Sequence, residues 1–171
     1  MIISEYLPAL DQWMSYYGFT KMEIQLGLEV ERFFWKTGSE ASKIGLTDRY
    51  CFIKHVPDNI TAQFAKSYSS ALYNYAYQHK LTLKRFFRSM MMVFPVLAVN
   101  KASQELINFI HSYQTNKFKS VEFPCLIELS TGNIYYYEKT PLWGALYYSG
   151  FRQDAYKFFS PGAWSQITSV K

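Results

Sequence analysis

The chain has 171 residues, 49% of them apolar, enough for one domain with a sizeable core; with 14 Phe, 15 Tyr and 4 Trp, rings must fill much of that core and leave some for contacts outside it. No apolar run is long enough to span a membrane, and the N-terminal residues MIISEYLPALDQW lack the basic start and small-residue cleavage site of a secretory leader. Cys51 and Cys125 stand far apart without a C-x-x-C partner, which excludes a disulfide scaffold or a zinc knuckle and points to buried thiols in the cytoplasm.

The net charge of +5 is unevenly placed. Residues 1–58 carry six Lys/Arg against eight Asp/Glu, residues 59–120 eight against one, and residues 121–171 four against four. No acid occurs from Asn59 to Gln104. Such asymmetry points to an acidic partner, either a protein or a nucleic acid.

In chain order, Leu7, Leu10, Met14 and Tyr17 recur at helical steps and predict a helix over Ser4–Tyr17, stopped by Gly18. Met22, Ile24, Leu26, Leu28 and Val30 alternate with polar residues or glycine and predict a strand with one wet face. Phe33, Phe34 and Trp35 break that alternation. Residues 37–45 read as a mobile loop, and Leu46–Val56 as the return strand of an antiparallel hairpin. Asp58 is the expected cap of a helix whose buried stripe is Ile60, Phe64, Tyr68, Ala71, Leu72 and Tyr75. Leu83, Phe86, Phe87 and Met90 then form one apolar helical face, with Lys80, Lys84 and Arg88 four apart on another and Arg85 beside them.

Met91–Val99 is apolar on both sides, as an interior strand covered by helices should be. Its V-F-P-V-L segment (Val93–Leu97) is echoed 29 residues later by E-F-P-C-L (Glu122–Leu126). The matched prolines Pro95 and Pro124 suggest an edge or a bulge in each strand. Between the two strands, Asn100 is the expected cap of a helix holding Ala102, Leu106, Phe109, Ile110 and Tyr113, which makes the strands a parallel pair. Residues 130–133 form a turn into the antiparallel YYY strand. A helix follows, starting at Thr140-Pro141 and ended by Ser160-Pro161-Gly162, and the tail 163–171 is expected as an edge strand or a flexible end.

The predicted fold is therefore a single α/β or α+β domain over 1–171, with a mixed sheet of about five or six strands and about four main helices. No dinucleotide fingerprint, phosphate loop, zinc spacing or calcium loop is found, so neither a cofactor nor a metal is expected. His55, His79 and His111 are scattered and support no nucleophile–base pair.

Glu128, near the C-terminal end of an apolar strand, is the one weak catalytic candidate, with Asn100 at the comparable end of the neighbouring strand. The favoured function is a non-enzymatic interaction module docking on an acidic partner through Lys80, Lys84, Arg85 and Arg88 with exposed aromatics. One alternative is a tyrosine-lined small-molecule binder. Another is a metal-dependent nucleic-acid enzyme. With the helical stretch 58–89 set aside, the element order is similar to the core of restriction-endonuclease-like nucleases, which carry an Asp on the second strand and Glu-x-Lys on the third. The strand Met91–Val99, third in that order, has neither acid nor Lys, and Glu128 lies on the fourth.

Overall fold

A computed structural model describes residues 1–23, 27–39, 46–79, 90–115, 120–139 and 145–168. Its strands are β1 (Thr20–Lys21), β2 (Arg32–Ser39), β3 (Leu46–His55), β4 (Met90–Val99), β5 (Ser120–Glu122), β6 (Cys125–Glu128) and β7 (Asn133–Tyr136). Its helices are α1 (Ile3–Tyr16), α2 (Ala62–Gln78), α3 (Gln104–Ser112), α4 (Ala145–Phe159) and α5 (Pro161–Thr168). The strands make one mixed sheet in the order β1-β2-β3-β4-β6-β7, with β5 also beside β4. β1, β2 and β3 run antiparallel, β3, β4 and β5/β6 run parallel, and β7 returns antiparallel to β6. The domain is α+β, as its pattern predicts.

Every residue of β4 from Met91 to Val99 is buried, because both faces of the sheet are covered. Met92, Phe94, Val96 and Ala98 pack with Tyr6, Leu10 and Met14 of α1 and with Phe151, Phe158 and Phe159 of α4. Met91 and Val93 pack with Leu72, Tyr73 and Ala76 of α2, and Leu97 and Val99 with Leu106 and Ile110 of α3.

The sequence echo is the pairing register. Val93 stands opposite Glu122 and Val96 opposite Cys125, each 29 positions apart, so Pro95 and Pro124 lie at one level. Pro95 is not at an edge, because β4 is flanked on both sides, and the offset does not change across the prolines, so neither strand is bulged; β5, which leads into Pro124, pairs only with β4 among the described residues and is an edge there. What changes is one ladder bond. The Phe123 N–H donates to the Val93 carbonyl at 2.8 Å, but Pro95 has no N–H to return to the Phe123 carbonyl. That carbonyl accepts instead from the Cys125 thiol, with Sγ at 3.6 Å. Burial pushes the Cys125 thiol pKa well up, which keeps the proton it donates.

Several local expectations are corrected. The alternating run 22–30 makes no ladder strand among its described residues, although Met22 N–H still reaches the Phe33 carbonyl at 2.8 Å. Gly27 takes φ of +109°, and Leu28–Val30 follow without ladder pairing. The faces nevertheless agree with the alternation: Leu28 and Val30 pack on the core below α2 while Glu29 is exposed. The strand that pairs with β3 is β2, whose Phe34 faces α1 and whose Phe33 and Trp35 face α2. A strand buried on both sides shows no apolar–polar alternation, so its aromatic run misleads a search for period two.

The cap of α2 is Thr61, which accepts from Phe64 N–H at 3.1 Å. Asp58 instead accepts from the N–H groups of Asn100 and Lys101 at the exit of β4. The cap of α3 is Ser103, not Asn100. On α2 the buried face is Ala65, Ser69, Leu72, Tyr73 and Ala76, turned about one residue from the predicted stripe, so that Phe64 and Ala71 point outward. Small side chains let this helix approach the sheet, and Ser69 and Tyr73 take polar partners there. The tail is neither edge strand nor loose end through Thr168: it forms α5, with Ala163 and Trp164 buried and Trp164 stacked on Tyr6. Of the predicted loop 37–45, Thr37–Ser39 belong to β2 and 40–45 lie outside the described residues.

Leu106 faces the sheet at 1% exposure, so Leu106→Ala is expected to lower stability by about 2–5 kcal/mol. Urea unfolding checks this; an unchanged midpoint would contradict the assigned face of α3.

Candidate functional site

Glu128 ends β6, 7% exposed, with both carboxylate oxygens engaged. Oε1 accepts from Ala102 N–H at 2.9 Å; Oε2 accepts from Thr131 Oγ1 at 2.7 Å and from Tyr135 Oη at 3.2 Å. One carboxylate thus ties the approach to α3, the turn after β6 and strand β7 to a single point. Burial raises its pKa, but the hydrogen bonds from Thr131, Ala102 and Tyr135, with the charge of Lys101, outweigh burial and hold it below the usual value. A general acid needs the opposite shift, and a free oxygen as well. The geometry makes Glu128 a clasp. Asn100 lies exposed at the neighbouring strand end, with its N–H bound to Asp58.

Lys80, Lys84, Arg85 and Arg88 lie outside the described residues. The segment that holds them joins the C-terminal end of α2 to the first residue of β4.

Other charges are buried where the sequence showed no signal. Arg49, 1% exposed on β3, pairs with Asp154 of α4 at 3.3 Å. Glu122 on β5 accepts from Ser69 Oγ at 2.5 Å and Tyr113 Oη at 3.1 Å, beside a 2.6 Å bond between Tyr73 and Ser120. Asp48, 6% exposed on β3, has an Oδ1 with no partner. The elements α1, β1, β2, β3, α2 and β4 follow the nuclease-like order with nothing set aside, so the strand to compare is β3 rather than 91–99. There Asp48 is followed two residues on by Tyr50, where that pattern places Lys, and β2 carries no acid. Among the described residues no three His, Cys, Asp or Glu side chains converge as metal ligands.

The histidines do not meet either. His79 stacks on Tyr75, His111 lies 3.5 Å from Glu138, and His55 is in β3.

A cleft of about 530 Å³ opens where β6 ends, between the following turn and the junction of α4 with α5. Tyr136, Tyr156 and several hydroxyl side chains line it. In the sequence, Ser160-Pro161-Gly162 reads as the end of a helix. It is also the start of one: Pro at the first helical position after Ser is a helix-opening signature.

No protein-family model matches the chain, and it has no match among curated proteins or solved structures.

A carboxyl with a lowered folded-state pKa contributes stability that is complete above its unfolded value and is lost as the pH falls through the folded value. Glu128 should therefore stabilise the protein fully at neutral pH and progressively less below about pH 4. Glu128→Gln, which sets an amide against three donors, is expected to cost about 1–3 kcal/mol at pH 7 and to flatten the acid limb. Urea unfolding at pH 7 and pH 3 reads both effects; an unchanged midpoint at pH 7 would contradict the clasp.

Proposed function

We propose that the protein is a non-enzymatic interaction module that docks on an acidic protein surface through the outer face of α2 and the basic segment that follows it. The observation that carries this reading is the composition of the exposed α2 face. Phe64 and Tyr77, near the two ends of the helix, stand 40% and 54% exposed, Lys66 is exposed as well, and the helix contains no acid. The same stretch of chain continues into Lys80, Lys84, Arg85 and Arg88. Aromatic contact area beside clustered positive charge suits a partner rich in Asp and Glu. The buried free thiols Cys51 and Cys125 suit a cytoplasmic setting.

An acidic protein fits better than a nucleic acid. Phe64 and Tyr77 are 13 residues apart on one helix, hence about 20 Å along its axis. That is too far for successive bases of one strand to stack on both rings.

The test compares Lys80→Glu/Lys84→Glu/Arg88→Glu with a control of equal charge change, Lys101→Glu/Lys139→Glu/Lys171→Glu. Binding to a labelled polyglutamate peptide and to a single-stranded oligonucleotide is read by fluorescence anisotropy across a salt series. The stripe variant should lose polyglutamate binding by about tenfold or more while the control loses little. Phe64→Ser/Tyr77→Ser should weaken it further, and circular dichroism should show all variants folded. Equal losses in stripe and control variants would reduce the effect to net charge. Oligonucleotide binding with a steep salt slope, and no polyglutamate binding, would overturn the acidic-protein reading in favour of a nucleic acid.

A further inference from the structure

We infer that the cleft beside α5 is a binding site for a tetrahedral oxyanion, either free phosphate or the phosphate of a small monoester, held at the N-terminus of α5. This inference is independent of the basic segment.

The eight-residue helix α5 opens at Pro161 with Ser160 before it. The Ser160 carbonyl accepts from Ala163 and Trp164 N–H at 3.1 and 3.3 Å, but its hydroxyl has no hydrogen-bond partner among the described residues. Ser160 is only 2% exposed, and it lines the cleft. The hydroxyl is not sealed from solvent, so on this almost wholly buried residue it is left open to the cleft it lines, free to donate to a ligand there.

The neighbouring positions favour an anion. Pro161 has no N–H, so Gly162 supplies the first backbone donor of the helix, at the positive end of its dipole. Gly162 has no side chain to obstruct an approach: a Cβ there would meet Ser160 Oγ at 3.5 Å and Tyr156 Oη at 3.8 Å. Across the cleft stand Ser130, Asn133 and Tyr136. Among the described residues no carboxylate lines it. Glu128 stands behind Thr131, which donates to it, and three hydrogen bonds already take up its charge.

Burial chiefly raises the Tyr136 pKa, against the charge of Arg152, so its phenol keeps a proton to donate. A volume near 530 Å³ is ample for a phosphate with a sugar-sized body, and the two tyrosines offer that body flat apolar surface. The position, at the C-terminal end of a parallel strand, is where open sheets hold phosphorylated ligands.

The experiment is a titration of ¹⁵N-labelled full chain with inorganic phosphate, glucose 6-phosphate and glucose, followed by amide shifts. The expected result is saturable movement of the amides at 130–133 and 160–165 with the two phosphates and not with glucose. Tighter binding of glucose 6-phosphate identifies a monoester site, and equal binding a free-phosphate site. Ser160→Ala should weaken phosphate binding about tenfold or more, the loss of one hydrogen bond to a charged group. Gly162→Ala, whose Cβ contacts are of ordinary van der Waals length, keeps the fold and should weaken binding as well; it decides the matter if Ser160→Ala does not fold. No saturable shift with either phosphate would overturn the inference. So would shifts confined to residues 80–88, equal shifts with glucose, or affinity unchanged in both variants.

Discussion

Strand β4 has no solvent side. Helices close both of its faces and a parallel strand lies along each edge, so its backbone groups depend on its neighbours and its side chains on apolar contact. A proline in such a strand leaves a carbonyl on the next strand without its donor. Here that carbonyl belongs to Phe123, and the donor that replaces the missing N–H is the thiol of Cys125, two residues further along the same strand. The two prolines sit at one level, so the loss is confined to one rung and the register carries through it. Free Cys125 therefore has a structural part in the sheet besides filling space.

A parallel trio has two unlike ends, and the molecule uses them differently. Toward the N-terminal ends of β3 and β4 lie the buried acids Asp48, opposite Met91, and Glu122, opposite Val93, and the attachment of the basic segment to Met90. At the C-terminal ends lie the Asp58 bridge to β4, the Glu128 clasp and the cleft beside α5. Carboxylates at this second end are consumed by backbone N–H and hydroxyl donors. They set loop positions and leave the cleft without negative charge of its own. The rigid frame that results presents an acid-free helix face on one layer and a hydroxyl-lined cleft on the other.

What could be read in the sequence was what local chemistry decides. Nine consecutive apolar residues at 91–99 admit few positions other than an interior strand, and the repeated F-P at 94–95 and 123–124 marks two strands of one kind, although their register shows only in the fold. The turn at 130–133 and the stop at Gly18, with φ of +74°, are backbone requirements that residue type reveals. What could not be read depends on which groups meet across the fold. Asp58 and Asn100 both look like helix caps, yet tertiary contact binds them to each other and leaves capping to Thr61 and Ser103. The face of α2 follows Ser69 and Tyr73, whose partners Glu122 and Ser120 are about fifty residues away in sequence. Glu128 drew attention as an acid in an apolar strand, but only its three donors reveal why it is there. The site beside α5 was hidden because Ser160-Pro161-Gly162 ends one helix and begins another.

The register through the prolines is the constraint on which both ends of the sheet depend, and interstrand nuclear Overhauser effects measure it most directly. Contacts should link the backbone of Val93 with Glu122, Val96 with Cys125 and Ala98 with Ile127, all at one offset on both sides of Pro95 and Pro124. An offset that changes across the prolines, or backbone contacts pairing β4 with a strand other than β3, β5 or β6, would contradict the account.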